Sequence, residues 1–415
     1  MSKHRIPTWA ALIVLAIGGL IAFIAGLFTY MKATATPLHP DPNAVRSVTR
    51  AEPSQKWADA ATRGRQIVRT DLADQNLPGV SVAVAAGGEI VWAEGFGWTD
   101  LENRTPVTPD TRFRTGEVSM ALTSAAAGLL LEKNKLNLDA EIQTYVPEFP
   151  KKSWPVTLRQ LMGQVGGVGS DAGDEASLEP CERTLDGLRL FKDDKLRFEP
   201  GTQYYPSTYG WILVSAAIEA ASGERFFRFM RGQIFEPLAM AATRPDSATE
   251  TIANRATFYF PRFAGDTRYG PELAREGDHT CYAGGGAFLS TPSDLVRFAI
   301  AVNGPLRQGF GTQGGRLLQP ATVELLQTPQ RLKSGQQIEY GLGWRLQTVP
   351  LAGEPTRMAG HGTKADFIGG TTSLMTFPGR GIVVAVMSNT SFADTRSIAL
   401  KIAEAFAVPP RPAPP

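Results

Sequence analysis

The chain has 415 residues, 43% of them hydrophobic and 20% charged, with 21 Phe and 7 Trp. That is enough apolar material for one large core, and too much for an extended disordered chain. The 42 Lys and Arg against 40 Asp and Glu leave a net charge of +2, with no basic run longer than two residues, which excludes nucleic acid as a partner. Two Cys and four His without any metal-ligand spacing exclude a zinc centre, and no cofactor is expected.

Lys3 and Arg5 precede an uncharged run in which Ala10 to Phe28 carries no polar side chain. About 20 apolar residues cross a hydrocarbon core, whereas a cleavable signal peptide has an apolar stretch of roughly 7–15. The run therefore predicts a retained signal anchor with its N-terminus in the cytoplasm, and Trp9 and Tyr30 stand at its ends, where interfacial aromatics belong. The alternative is a removed signal peptide cut after Ala33-Thr34-Ala35; either way the body lies outside the cytoplasm. Pro37, Pro40, Pro42 and Pro53 mark residues 32–56 as a Pro-rich linker.

A helix is expected near 55–76, followed by a β-hairpin: VSVAVAA (80–86), a Gly87-Gly88 turn and EIVWAEGFGW (89–98). The middle of the chain is helical and loop-rich, with apolar periodicity at Val118–Leu131 and Trp211–Ala221. Gly309, Gly311 and Gly314 satisfy G-x-G-x-x-G, but the segment before them has a helical pattern, so a loop is expected rather than a dinucleotide site. TTSLMTF (371–377), the turn Pro378 to Gly381 and IVVAVMSN (382–389) form a second hairpin, and a helix from Asp394 to Phe406 follows. Strands near both ends with helices between them predict one antiparallel sheet closed by terminal segments, with a helical lobe inserted across it.

Seven segments, in order, resemble the serine β-lactamase and penicillin-binding-protein-like family, particularly its class C and LACTB-like branch. They are PGVSVAVAAGGEIVWAEGFG, TRFRTGEVSMALTSAAAGLLLEKNKLNLDAEIQTYVPEFP, VTLRQLMGQVGGV, FEPGTQYYPSTYGWILVSAAIEAASG, YAGGGAFLSTPSDLVRFA, YGLGWRL and MAGHGTKADFIGGTTSLMTFPGRGIVVAVMSN. The resemblance implies an α+β fold, an α/β sandwich of the β-lactamase/transpeptidase type with an all-helical lobe and the active site between the two. Four units follow: 1–31 as cytoplasmic stub and anchor, 32–56 as linker, 57–408 as the β-lactamase-like domain and 409–415 as a Pro-rich tail.

The catalytic residues of that family are not retained. Its nucleophile motif, S-x-x-K, sets a Ser one helical turn before the Lys that activates it. In FRTGEVSMALT the Ser position is Glu117 and the Lys position is Met120, and no Ser in the chain has Lys three residues later. The family's second-motif Tyr falls on Pro206, with Ser207 and Thr208 retained and Tyr205 one residue out of register. The third motif is partly kept as His361-Gly362-Thr363, and the family's T-H-T-S-G-L stretch reads Gly163 to Val168. By position the ligand cleft would comprise Glu117, Gln164, Tyr205, Ser207, Thr208, His361, Gly362 and Thr363, and the family implies that Cys181 and Cys281 border it, either disulfide-bonded or as two thiols.

Glu117 has three readings: a carboxylate favoured by the helix dipole, a built-in anion paired with His361, or half of a new Glu-His acid/base pair. Ser119 is either a helix residue facing away or a relocated nucleophile. A Met has no titratable group and a carboxylate is a poor acylation nucleophile, so the sequence predicts a pseudoenzyme. It would be anchored in the membrane and would bind a peptide-like or cell-wall-derived ligand or a protein partner. The alternatives are a divergent esterase, peptidase or β-lactamase using a non-family nucleophile, and a purely structural role in the envelope.

Overall fold

In the computed structural model, which describes residues 8–169, 179–303, 316–362 and 369–408, the two hairpins expected from the sequence are neighbours in one antiparallel sheet. The helices are α1 (Thr8–Ala33), α2 (Ala58–Asp74), α3 (Val118–Glu132), α4 (Leu158–Met162), α5 (Thr208–Ser222), α6 (Phe226–Met230), α7 (Pro292–Asn303), α8 (Pro320–Leu326) and α9 (Thr395–Ala407). The strands are β1 (Ser47–Thr49), β2 (Gly79–Ala86), β3 (Glu89–Asp100), β4 (Thr105–Pro106), β5 (Phe113–Arg114), β6 (Arg244–Pro245), β7 (Tyr259–Pro261), β8 (Pro271–Leu273), β9 (Phe288–Ser290), β10 (Arg345–Leu351), β11 (Glu354–Gly362), β12 (Thr371–Phe377) and β13 (Ile382–Ser388). The main sheet runs β1-β3-β2-β13-β12-β11-β10, with β4 added to β3.

Strands β2 and β13 are apolar on both faces because both faces are covered. Val80, Val82 and Val84 of β2, with Ile382, Val384 and Val386 of β13, face one core beneath α2 and α9. Ala83, Ala85, Val383, Ala385 and Met387 face the other core, built from α3, α5 and α7. Val84 lies opposite Val384 in the pairing of β2 with β13, so the N- and C-terminal hairpins meet at the centre of the sheet. The period-two pattern specified this register, since a one-residue slip would exchange the two faces.

Residues 36–57 do not stand free as the spacer expected from their prolines. Leu38 N–H donates to Asn76 Oδ1 (2.7 Å), the buried His39 ring meets the Leu77 carbonyl (3.0 Å), and β1 pairs with β3 as an edge strand. Prolines predict an extended path, but an extended path suits an edge strand as well as a linker. The G-x-G-x-x-G stretch at 309–314, Thr363 and the tail 409–415 lie outside the described residues.

Candidate functional site

The chain leaves β5 through Gly116, whose φ of 50° only glycine adopts without strain, and this turn delivers Glu117 to the N-cap of α3. Met120, one turn along, is fully buried. Its sulfur accepts from Gln164 Nε2 at 3.3 Å and lies 3.8 Å from the Tyr340 hydroxyl. Gln164 itself has φ 60°, and its Oε1 accepts from Ser207 N–H at 2.8 Å. Ser207 caps α5, with its hydroxyl accepting from Gly210 N–H, and the Thr208 methyl packs beside Gly285. On the opposite side, Tyr340 Oη is 2.9 Å from His361 Nε2, and His361 Nδ1 accepts from its neighbour Gly362 N–H at 3.1 Å.

Tyr340 and Arg345 come from the YGLGWRL segment, to which the sequence alone gives no role in the cleft. Gly343 holds that segment down: its φ is 91°, and a Cβ there would sit 2.7 Å from Ser124 and Trp211. The close approach presents Tyr340 at one side of Met120 and Arg345 at the mouth, where Arg345 Nη2 is 3.6 Å from Glu117 Oε2. His361 Nδ1 is 3.9 Å from the same oxygen. The Glu117 side chain keeps 21% exposure, yet Oε2 itself is enclosed and makes no hydrogen bond among the described residues.

Burial pushes the Glu117 carboxyl above its ordinary range, against the opposing pull of Arg345. Burial, reinforced by Arg345, pushes His361 well below the usual imidazole value, so the ring is neutral at physiological pH. Glu117 therefore has a guanidinium, not an imidazolium, as its counter-charge. Tyr340 is raised well above a normal phenol, first by burial and then by Tyr204 and Glu117, so it remains a proton donor.

Pro206 is exposed and supplies no phenol. Tyr205 turns its ring towards Phe198 and Arg197 and is 38% exposed. The ring facing the site is Tyr204, 5.6 Å from Tyr340, because Tyr205 N–H is held by the Gln164 carbonyl and alternate residues of an extended segment point to opposite sides. Ser119 is buried with its hydroxyl 2.6 Å from that of Thr115. Cys181 and Cys281 are disulfide-bonded, tying the segment after residue 178 to the 3₁₀ turn Thr280–Gly285, which packs on α5 and α3. Among the described residues no cluster of His, Cys, Asp and Glu could hold a metal ion.

A family model described as beta-lactamase matches residues 65–407. The chain belongs to the beta-lactamase family. It is 28% identical to the human serine beta-lactamase-like protein LACTB, mitochondrial, over 85% of this chain and 81% of that one. Penicillin-binding protein 4* of Bacillus subtilis is 28% identical over 66% of this chain and 60% of its own. Among solved structures, the penicillin-binding protein homologue of Pyrococcus abyssi superposes with a TM-score of 0.67 at 23% identity, covering 82% of this chain and 76% of that one. FmtA of Staphylococcus aureus does so with 0.67 at 18% identity, covering 87% and 93%. These structural likenesses confirm the sandwich fold. Within this beta-lactamase-family chain the first turn of α3 carries the Glu117 carboxyl and the buried Met120 thioether, and no Ser in the chain is followed by Lys three residues later.

Proposed function

We propose that this chain is a membrane-anchored pseudoenzyme: a beta-lactamase-like domain that has lost serine-hydrolase chemistry and binds a peptide-like or cell-wall-derived ligand, or a protein partner, through the old active-site cleft. Helix α1 has the length and apolarity to cross a membrane from Leu12 to Ala33. The basic residues before it favour a cytoplasmic N-terminus, with the body extracytoplasmic, in the periplasm of a Gram-negative envelope.

The observation that carries the reading is Met120. A thioether held between Gln164 and Tyr340 can neither accept nor deliver the proton that acylation of a serine requires. The lining that remains, comprising Gln164, Tyr204, Tyr340, Arg345 and Glu117, is polar and partly enclosed, which suits recognition of amides and charged groups.

The alternative of a non-family nucleophile would draw on Tyr340, whose Oη lies 2.9 Å from His361 Nε2, and would need the imidazole in the tautomer that leaves Nε2 free to accept the phenol's proton. Both readings meet in one experiment on the full chain in detergent. The natural protein and a Glu117→Ser, Met120→Lys, Pro206→Tyr variant are treated with a fluorescent penicillin and a fluorophosphonate, and intact masses are read. In parallel, tryptophan fluorescence follows titration with an acylated D-alanyl-D-alanine peptide. The expected result is no adduct on the natural chain with saturable peptide binding, and acylation of the variant. A stoichiometric adduct on the natural chain, at Tyr340 or elsewhere, overturns the pseudoenzyme reading; absence of both adduct and binding overturns the peptide-ligand reading.

A further inference from the structure

We infer that the hairpin formed by β7 and β8 is a second membrane contact, seated at the boundary between hydrocarbon and headgroups beside α1. The inference rests on the reading of α1 as a membrane anchor. The apolar run Ala10–Phe28 comprises 19 residues, and at about 1.5 Å per residue it matches a hydrocarbon core roughly 30 Å thick. Its ends therefore mark the two boundaries, and Trp9 and Tyr30, 65% and 61% exposed, flank them as interfacial aromatics do.

Phe28, the last residue of that run, is not surrounded only by space for lipid. Its ring meets Phe263 edge-on, with centroids 4.8 Å apart, and Tyr269 at 6.2 Å; the latter two rings are 5.8 Å apart. Both belong to the tip of the β7–β8 hairpin. Beside them Arg262 donates to Thr34 Oγ1 at 3.0 Å and to the Thr34 carbonyl at 3.2 Å, and Met31 is buried beneath the same contact. The tip is thereby fixed at the depth of Phe28.

A second observation points the same way. Leu273, in the returning strand of this hairpin, is 70% exposed, the most exposed large apolar side chain outside α1 among the described residues. An apolar side chain so exposed, on the strand that returns from the tip, suits an acyl boundary beside it. The Asp266–Arg268 ion pair on the tip, 2.7 Å long, suits the polar headgroup layer just outside. The partner is thus a phospholipid surface.

The hairpin is also bonded to the main sheet. Tyr259 N–H donates to the Asn389 carbonyl and Ser391 N–H to the Tyr259 carbonyl, just beyond β13. Membrane contact and sheet therefore move as one body, and the cleft beside the sheet is held at a set height and tilt over the bilayer instead of swinging on a tether.

The full chain, reconstituted in nanodiscs of phosphatidylcholine and phosphatidylglycerol, tests this by nitroxide accessibility. Both native cysteines are in the disulfide, so Ala264→Cys, Leu273→Cys, Ile21→Cys and Gly379→Cys can be labelled singly. Gly379 lies in the turn between β12 and β13, at the end of the sheet away from the hairpin. Labels at 264 and 273 should favour oxygen over a water-soluble nickel chelate several-fold relative to 379, and the Phe263→Ala, Tyr269→Ala double variant should return the 273 label towards the value at 379. Chelate access at 264 and 273 equal to that at 379, with the Ile21 label deep in the bilayer, overturns the inference while sparing the anchor. An Ile21 label exposed to chelate shows instead that the anchoring reading has failed. Protection of 273 from both reagents together with a dimeric mass identifies a second copy on this face and also overturns it.

Discussion

Arg345 Nη2 stands 3.6 Å from Glu117 Oε2, so the carboxylate at the start of α3 faces an arginine from a strand more than 200 residues away in sequence. The pair is too long for a direct hydrogen bond and leaves Oε2 without one. Burial raises the Glu117 pKa more than Arg345 lowers it. A carboxyl raised in the folded state costs stability as pH rises from its unfolded value through its folded value, since folding then disfavours the anion. Glu117→Gln should accordingly raise Tm at pH 7 and leave it unchanged near pH 4, read by differential scanning fluorimetry across pH. A Tm loss at pH 7 would show that the ion pair outweighs the desolvation.

Met120 is fully buried, and its surroundings do not suit an ammonium. Met120→Leu conserves volume and should cost less than about 1.5 kcal/mol. Met120→Lys puts a desolvated cation beside the phenol of Tyr340 and the amide of Gln164 and should cost about 3–5 kcal/mol. Urea denaturation of the two single variants measures the difference; equal midpoints would mean that the lysine finds its old solvation.

The Cys181–Cys281 bond closes a loop with a sequence separation of 100. Restricting so long a loop in the unfolded chain is worth about 2–5 kcal/mol. The Cys181→Ser, Cys281→Ser double variant should lose that much in chemical denaturation, and added reductant should affect the natural protein alone.

His279 is buried, and neither ring nitrogen has a hydrogen-bond partner among the described residues. Burial, with the Arg114 guanidinium next in weight, pushes it down to about 3. Below pH 6.5 the unfolded chain takes up a proton that the folded chain refuses, so stability declines by about 1.4 kcal/mol per pH unit until pH approaches 3. His279→Phe, which keeps the ring stacked near Tyr282, should flatten the fall of Tm between pH 6.5 and 4. Part of the acid loss should remain in the variant, because Asp246, whose pKa Arg114 and Arg255 hold below its ordinary value, is protonated at lower pH.

The elements read from periodicity are present: the two hairpins, the helix after Gly116 and the terminal helix all coincide with the observed ones to within a few residues. Within the Pro-rich stretch 32–56, residues 38, 39 and 47–49 bond to the body, because proline content reports backbone extension and says nothing about which sheet edge the extended segment meets. The adjacent tyrosines show a related limit. The motif alignment puts Pro206 at the family's Tyr position and leaves the Tyr205 phenol pointing elsewhere, as it does, but it is silent on Tyr204, whose ring the backbone bond from Tyr205 to Gln164 turns inward.

The sequence alone determined the family, the order of the strands' apolar faces and the absence of any Ser-x-x-Lys quartet, because these reside in residue identity and in spacings of two to four positions. Only the tertiary structure decided what stands in place of that chemistry. Met120, Gln164, Tyr340 and His361 converge from four separate segments, Arg345 rather than His361 supplies the charge facing Glu117, and the hairpin tip meets the end of α1. Each is a long-range contact set by packing and desolvation, and local pattern carries no record of which distant side chains will share one buried volume.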